Sequence, residues 1–288
     1  MPEPHSPARL KLGAAHERPR SRSFLEQPPA LTLSAAWHAV AVTGCALDPA
    51  AWPWWLAGTF ANHAIVTAAG LWPRSSILGP NWTRLPAAAS KRREIALTID
   101  DGPDPQVTPQ VLDLLDRHGV RATFFCIGEH ARRYPALTRE IVARGHAVEN
   151  HSQRHRHTFS VSGPGVLARE IEAAQQTLAD LTGEWPRFFR APAGLRNVFL
   201  EPVLQRFDLR LASWTRRGFD TRETRADVVA QRLVHQLAAG DILLAHDGNA
   251  ANGVDGLPVI LSTLPQVFVA AQSEQLHFIT LREALLAA

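Results

Sequence analysis

Hydrophobic and polar positions divide this chain into three stretches. Residues 1–30 are polar, with Pro and Arg throughout, among them Arg18, Arg20 and Arg22. A segment of that composition cannot bury enough apolar surface to offset its ordering entropy, so a disordered basic tail is expected. From Gln27 to Pro73 the only charged residue is Asp48. Leu31–Leu47 is a charge-free run of 17 residues and Trp54–Trp72 one of 19. The link Asp48-Pro49-Ala50-Ala51-Trp52-Pro53 has turn chemistry. Trp52, Trp54, Trp55 and Trp72 stand at the ends of the runs, where aromatic belts occur. A membrane span needs about 17–25 apolar residues. Residues 31–72 therefore predict a two-helix membrane hairpin, followed by a basic linker over 73–93. Two other readings stay open. His38, Asn62 and His63 are costly in lipid and favour a helix pair packed on the following domain. Val42-Thr43-Gly44-Cys45 resembles a lipoprotein site behind a secretory leader.

From residue 94 the pattern alternates. Apolar, strand-like runs fall at 94–100, 121–127, 186–190, 209–214, 241–246 and 275–279. Helix-period segments fall at 106–118, 131–144, 164–182, 224–239 and 258–271. Strands alternating with helices predict parallel β/α units over 94–288. In such folds chemistry gathers at the strand ends.

Charge sharpens the division. The net charge of +3 is made of +6 in residues 1–93 and −3 in residues 94–288. A basic segment beside an apolar one favours a membrane surface, and no basic stripe interleaved with aromatics points to nucleic acid. Arg9, Lys11, Arg18, Arg20 and Arg22 precede the hairpin, and Arg74, Arg84, Lys91, Arg92 and Arg93 follow it. The short link carries no cation. The positive-inside rule then puts both ends in the cytoplasm. Two cysteines, Cys45 and Cys126, give neither a disulfide framework nor a metal-type pair.

The candidate chemistry begins at Thr98-Ile99-Asp100-Asp101-Gly102-Pro103, where two carboxylates end a strand-like run. Asn150-His151-Ser152-Gln153-Arg154-His155 follows, with histidines four apart that share a face if the segment is helical. One Asp and two His suit zinc or a similar divalent ion with a position left open for water. Successive side chains alternate on a strand, so one Asp can hold the ion while the other faces a substrate. The pattern is that of a metal-dependent hydrolase.

These residues resemble the NodB-homology polysaccharide deacetylases, carbohydrate esterase family 4. Phe189-Arg190-Ala191-Pro192-Ala193-Gly194, Ser213-Trp214-Thr215 through Asp220-Thr221, and Ile242-Leu243-Leu244-Ala245-His246 extend the resemblance in order. It implies a distorted, incomplete (β/α) barrel behind the helical hairpin. It assigns Asp101, His151 and His155 to a divalent metal, zinc or else cobalt, nickel or manganese. It makes Asp100 the base, Arg190 the cation beside it, His246 the general acid and Asp220 the carboxylate that orients His246. Pro192, Ala193, Leu244 and Trp214 are implied in substrate binding, with the Ala193 N–H facing an oxyanion and Leu244 the acyl methyl. The chain departs from the family pattern at Arg217, in place of an Asp, and at Thr221, in place of a Trp. The function implied is removal of an N-acetyl or N-formyl group from an amino sugar. The hairpin narrows the setting to the bacterial inner membrane, the cytoplasmic side, and a glycolipid or envelope-glycan substrate. An extracytoplasmic polymer deacetylase and a non-catalytic carbohydrate-binding or scaffold protein are the competing readings.

Overall fold

The computed structural model describes residues 28–287; of the tail expected over 1–30, residues 1–27 lie outside them, and Pro29 and Ala30 belong to the first helix instead. Two helices come first, α1 (Pro29–Leu47) and α2 (Trp52–Leu71), each with Pro in its first turn, where the missing N–H costs nothing. They form an antiparallel pair that closes on small residues. A Cβ on Gly44 would lie 2.3 Å from the Trp55 ring, and one on Gly58 2.2 Å from Trp37. The polar residues pair across the hairpin. His38 Nε2 lies 3.2 Å from His63 Nε2, and Asn62 donates to Ser34 Oγ at 2.9 Å. Leu33, Val40, Val42, Phe60 and Ile65 stay exposed. Among the described residues α1 is the helix long and apolar enough to cross a membrane.

Residues 73–93, expected as a linker, are packed on the domain. Leu78, Leu85 and Ala89 are buried, the last in α3 (Ala87–Lys91). Trp82 bridges to Ala212 and Arg84 to Asp241.

The remaining elements alternate: β1 (Glu94–Asp100), α4 (Thr108–His118), β2 (Ala122–Cys126), α5 (Gly128–Arg133), α6 (Pro135–Ala143), β3 (Ala147–Asn150), α7 (Pro164–Thr182), β4 (Phe188–Phe189), α8 (Leu200–Arg206), β5 (Arg210–Leu211), β6 (Arg216–Arg217), α9 (Ala226–Val234), β7 (Ile242–His246), α10 (Val259–Ser273), β8 (His277–Phe278) and α11 (Leu281–Leu286). All strand pairs are parallel, in the order β5-β4-β3-β2-β1-β7-β6, with β8 beside the start of β1. β5 and β6 do not pair, so the barrel is open. The bridges of Trp82 and Arg84 reach toward both sides of that gap.

Central β1 reads as a near-continuous apolar run because both faces are covered. Ile95, Leu97 and Ile99 meet the outer helices α4 and α10, while Ala96 joins Phe125, Phe188, Trp214 and Leu244 inside the half-barrel. The helix expected over 131–144 is two, because Pro135 lacks the N–H that would continue the first. β3 escaped the hydrophobic pattern because half of it is polar. Glu149 is buried there, accepting from the Arg187 and Phe188 backbone and from Arg282.

Candidate active site

Asp100 is the last residue of β1 and pairs in register with Phe125 on β2 and His246 on β7. Asp101 has already left the strand, at φ +75°. Strand alternation therefore does not separate the two carboxylates, and both face His151. Its Nε2 lies 3.2 Å from Asp101 Oδ1 and 3.9 Å from Asp100 Oδ2. Gly248 permits this turn, since a Cβ there would lie 2.3 Å from the Asp101 carbonyl oxygen.

His151 follows β3 directly. It and His155 do not share a helix face, contrary to the expectation for this spacing. The segment is a tight loop with Ser152 at φ +63° and His155 at φ +48°, held by the Ser152 hydroxyl accepting the His155 N–H at 3.0 Å. The loop brings the rings to 4.8 Å between centroids, and His155 Nε2 lies 3.3 Å from Asp101 Oδ1.

This donor set fits a metal ion. The Arg190 carbonyl can only accept, so the His151 Nδ1 at 2.8 Å carries the hydrogen and its Nε2 presents a lone pair. That lone pair faces a carboxylate oxygen, and Asp101 Oδ1 is buried with no hydrogen bond. Acceptors facing each other need a cation between them. Ligand atoms about 2.0–2.1 Å from one zinc at tetrahedral angles lie about 3.3 Å apart. The two observed separations of 3.2 and 3.3 Å match that spacing. A bound carbonyl partner for the second ring nitrogen is the usual support for a metal-ligating histidine.

A protonated His151 would meet the same demand for positive charge: burial would raise Asp101, but the hydrogen bond and charge of that imidazolium, with His246 and His155, hold its carboxyl well below the usual range. Burial lowers His155 to about 4, helped by the His151 charge. His151 is pushed up against its own burial by Asp100 and Asp101.

Two flanking groups are fixed by buried partners. Arg190, 1% exposed, donates to Asp100 Oδ1 at 2.6 Å, to Thr98 Oγ1 at 2.8 Å and to the Ala212 and Ser213 carbonyls. Its guanidinium stacks 4.1 Å from the Phe125 ring centre. On the other side, Asp220 accepts from His246 twice, from Nδ1 at 2.8 Å and from the backbone N–H at 2.7 Å. Burial alone would lower His246; the Asp220 charge and hydrogen bond, with Asp100 and Asp101, raise it to about 9. Its Nε2 is the nitrogen left to carry a transferable proton.

The other expected residues lie around this centre. Pro192, Ala193 and Gly194 form a short 3-10 turn after β4, with Ala193 at φ +56°. The Trp214 ring is wedged against that turn, 2.5 Å from where a Gly194 Cβ would stand. Leu244 is buried beside Trp214 in the inner core. His157, two residues beyond His155, is exposed.

Three contributors had no signal in the motif reading. Asn249 donates to Asp101 Oδ2 at 3.1 Å. His130 Nδ1 lies 3.0 Å from the Asp101 carbonyl oxygen. Asp247 is fully buried beneath the site, and burial with the nearby Asp101 charge raises it to about 7 although the Thr108 hydroxyl donates to it. Asp247 and Asn249 lie within three residues of His246, which is the clue that was available; His130 had none.

A family model described as polysaccharide deacetylase matches residues 87–212. A peptidoglycan-N-acetylglucosamine deacetylase of Bacillus cereus is 32% identical over 178 residues, 60% of this chain and 64% of its own length. The chain thus spans slightly less than two thirds of that relative. A chitooligosaccharide deacetylase of Azorhizobium caulinodans is 36% identical over 155 residues, 54% of this chain and 73% of its own length. Among solved structures, that of a peptidoglycan N-acetylglucosamine deacetylase superposes with a TM-score of 0.63 at 25% identity, over 71% of this chain and 92% of the other.

Proposed function

The chain belongs to the polysaccharide deacetylase family, and from that premise we propose that it is a metal-dependent N-deacylase acting on an amino sugar of a membrane-linked glycolipid or envelope glycan. The observation that carries the reading is the single cluster at the end of β1. Three ligand atoms there, from Asp101, His151 and His155, lie within 4.8 Å of one another, flanked by a carboxylate clamped by arginine and an imidazole clamped by aspartate.

Asp101, His151 and His155 would hold a divalent ion, zinc or else cobalt, nickel or manganese, which would supply Lewis-acid polarisation of the amide carbonyl and a lowered pKa for water. Asp100 removes the proton as water attacks the amide carbon. Arg190 occupies its Oδ1, which orients Oδ2 toward the centre. His246 gives its Nε2 proton to the departing amine, and Asp220 keeps that proton in place at neutral pH. The Ala193 N–H, beside Pro192, faces the developing oxyanion. Leu244 and Trp214 supply the apolar wall for a small acyl group. The products are acetate or formate and a free amino sugar.

The hairpin supports the membrane setting. Large apolar side chains point outward from both helices, tryptophans mark their ends, and cations flank them without entering the link. The positive-inside rule favours a cytoplasmic catalytic domain. The relatives are named for peptidoglycan and for chitooligosaccharide; a peptidoglycan-like polymer outside the cell as substrate here would require the opposite topology. Mass spectrometry of envelope glycolipids and polymers, from cells with and without the protein, tests the reaction. A species lighter by one acetyl or formyl group only when the protein is present is expected. Identical spectra would refute it. A C-terminal alkaline phosphatase fusion that is active would transfer the domain to the outside.

A further inference from the structure

A second feature lies beside the catalytic centre. A cleft of about 900 Å³ opens where α2 ends and the barrel begins. Trp72 and Arg74 form one bank; Trp214, Arg217 and Phe219 form the other, with Arg232 of α9 at the rim. Four arginines line it, counting Arg216, and no carboxylate does. Two are already satisfied. Arg216 pairs with Asp241 at 2.9 Å, and Arg232 lies 3.3 Å from Glu223. The other two have no carboxylate partner among the described residues. Arg74 reaches only the Thr215 carbonyl, at 3.4 Å. Arg217 has its Nε buried without a hydrogen bond, and its guanidinium stands 5.4 Å from the Trp214 ring centre and 5.0 Å from that of Phe219. A guanidinium held between two rings with an unmet donor is set for an anion. Its planar fork matches phosphate oxygens pairwise.

The position of the cleft says what the anion is attached to. One side is Trp72, the residue that caps the apolar helix α2. The other side is shared with the catalytic centre. Arg190, which clamps Asp100, stands 5.8 Å from the same Trp214 ring that Arg217 faces. Phe219 immediately precedes Asp220, which clamps His246. Arg217 is in register with Leu244, two residues before His246 and so about 7 Å from it along the strand. One sugar ring is wide enough to bridge that interval.

We infer that this cleft binds the phosphate of a lipid-phosphate-linked amino sugar, with Arg217 and Arg74 on the phosphate and Trp72 and Phe219 against the first apolar atoms of the lipid. This rests on the N-deacylase reading and names its substrate class. Sugar, phosphate and lipid then lie in one line, from the deacylation centre to the foot of the hairpin.

The test uses the full-length, metal-loaded protein in zwitterionic detergent. Tryptophan fluorescence reads binding of farnesyl phosphate, farnesol and inorganic phosphate to wild type, Arg217→Gln and Arg217→Lys. Charge-assisted contacts of this kind are worth about 10–100-fold in affinity. Farnesyl phosphate should bind wild type at least about 10-fold more tightly than Arg217→Gln, with Arg217→Lys between, while farnesol should not distinguish the three. Equal binding of farnesyl phosphate to wild type and Arg217→Gln overturns the inference, whatever the deacylation assay gives. Inorganic phosphate binding as tightly as farnesyl phosphate would reduce the cleft to a free-phosphate site and overturn the lipid part. Steady-state kinetics supply the second arm. Arg217→Gln should raise KM for a polyprenyl-phosphate-linked N-acetylglucosamine by about 10–100-fold more than KM for its methyl glycoside. An equal effect on both substrates would mean a structural role. Absence of any turnover by wild type, with phosphate binding intact, would refute the deacylase reading and not the cleft.

Discussion

Replacing Asp220 by Asn tests the proton path through a quantity the structure supplies. The carboxylate takes two hydrogen bonds from His246, at 2.8 and 2.7 Å. Burial works against the imidazolium, yet the Asp220 charge and hydrogen bond outweigh it and raise the ring from 6.5 to about 9. That difference is worth about 3 kcal/mol in favour of the protonated form. Asp220→Asn keeps one acceptor oxygen and nearly the same shape, but no charge. Burial is then opposed only by the charges of Asp100 and Asp101, and the ring falls back toward the ordinary 6.5. At about pH 8 the protonated fraction drops from roughly nine-tenths to roughly 0.03. With metal bound to both, wild type should hold its rate to a higher pH than Asp220→Asn, with up to about 30-fold between them at pH 8. Stability follows the same sign. A histidine whose folded pKa is raised contributes stability fully present below 6.5 and lost as pH rises to about 9. The thermal midpoint of wild type should fall across that window more than that of the variant. An alkaline limb that stays where wild type has it would show that His246 is not the acid.

Asp100→Asn should retain the metal ion and lose turnover by about 10²–10⁴-fold, because a positioned base is removed while the ligands stay in place; near-normal rates with a full metal site would exclude Asp100 as the base. His146 gives a prediction away from the site. Burial lowers it to about 4, and its Nε2 has no hydrogen bond. Since its folded pKa lies below the ordinary 6.5, its contribution is present above that value and lost as pH falls toward 4. His146→Gln should flatten the fall in thermal midpoint between about pH 6.5 and 4.5, and an unchanged acid profile would exclude it as a cause.

The catalytic centre was legible because its residues sit at strand ends, and strands announce themselves as apolar runs. Asp100, Asp101 and His246 end β1 and β7 or follow them directly. The geometry within the centre was less legible. Whether Asp101 stays on the strand depends on the close approach of Gly248, a contact between distant segments. The His151–His155 loop depends on two positive φ values at residues that are not glycine. Spacing alone favoured a helix there. β3 was hidden because Glu149 and Asn150 are buried with partners drawn from other elements. The packing of residues 73–93 was hidden because cations suggested a free linker, while Leu78, Leu85 and Ala89 decide the matter.

The central claim is that Asp101, His151 and His155 form one metal site, and elemental analysis of the purified full-length protein tests it most directly. About one divalent ion per chain is predicted for wild type, and almost none for His151→Ala and for His155→Ala when both remain folded by circular dichroism. An undiminished metal content in either folded variant would contradict the claim.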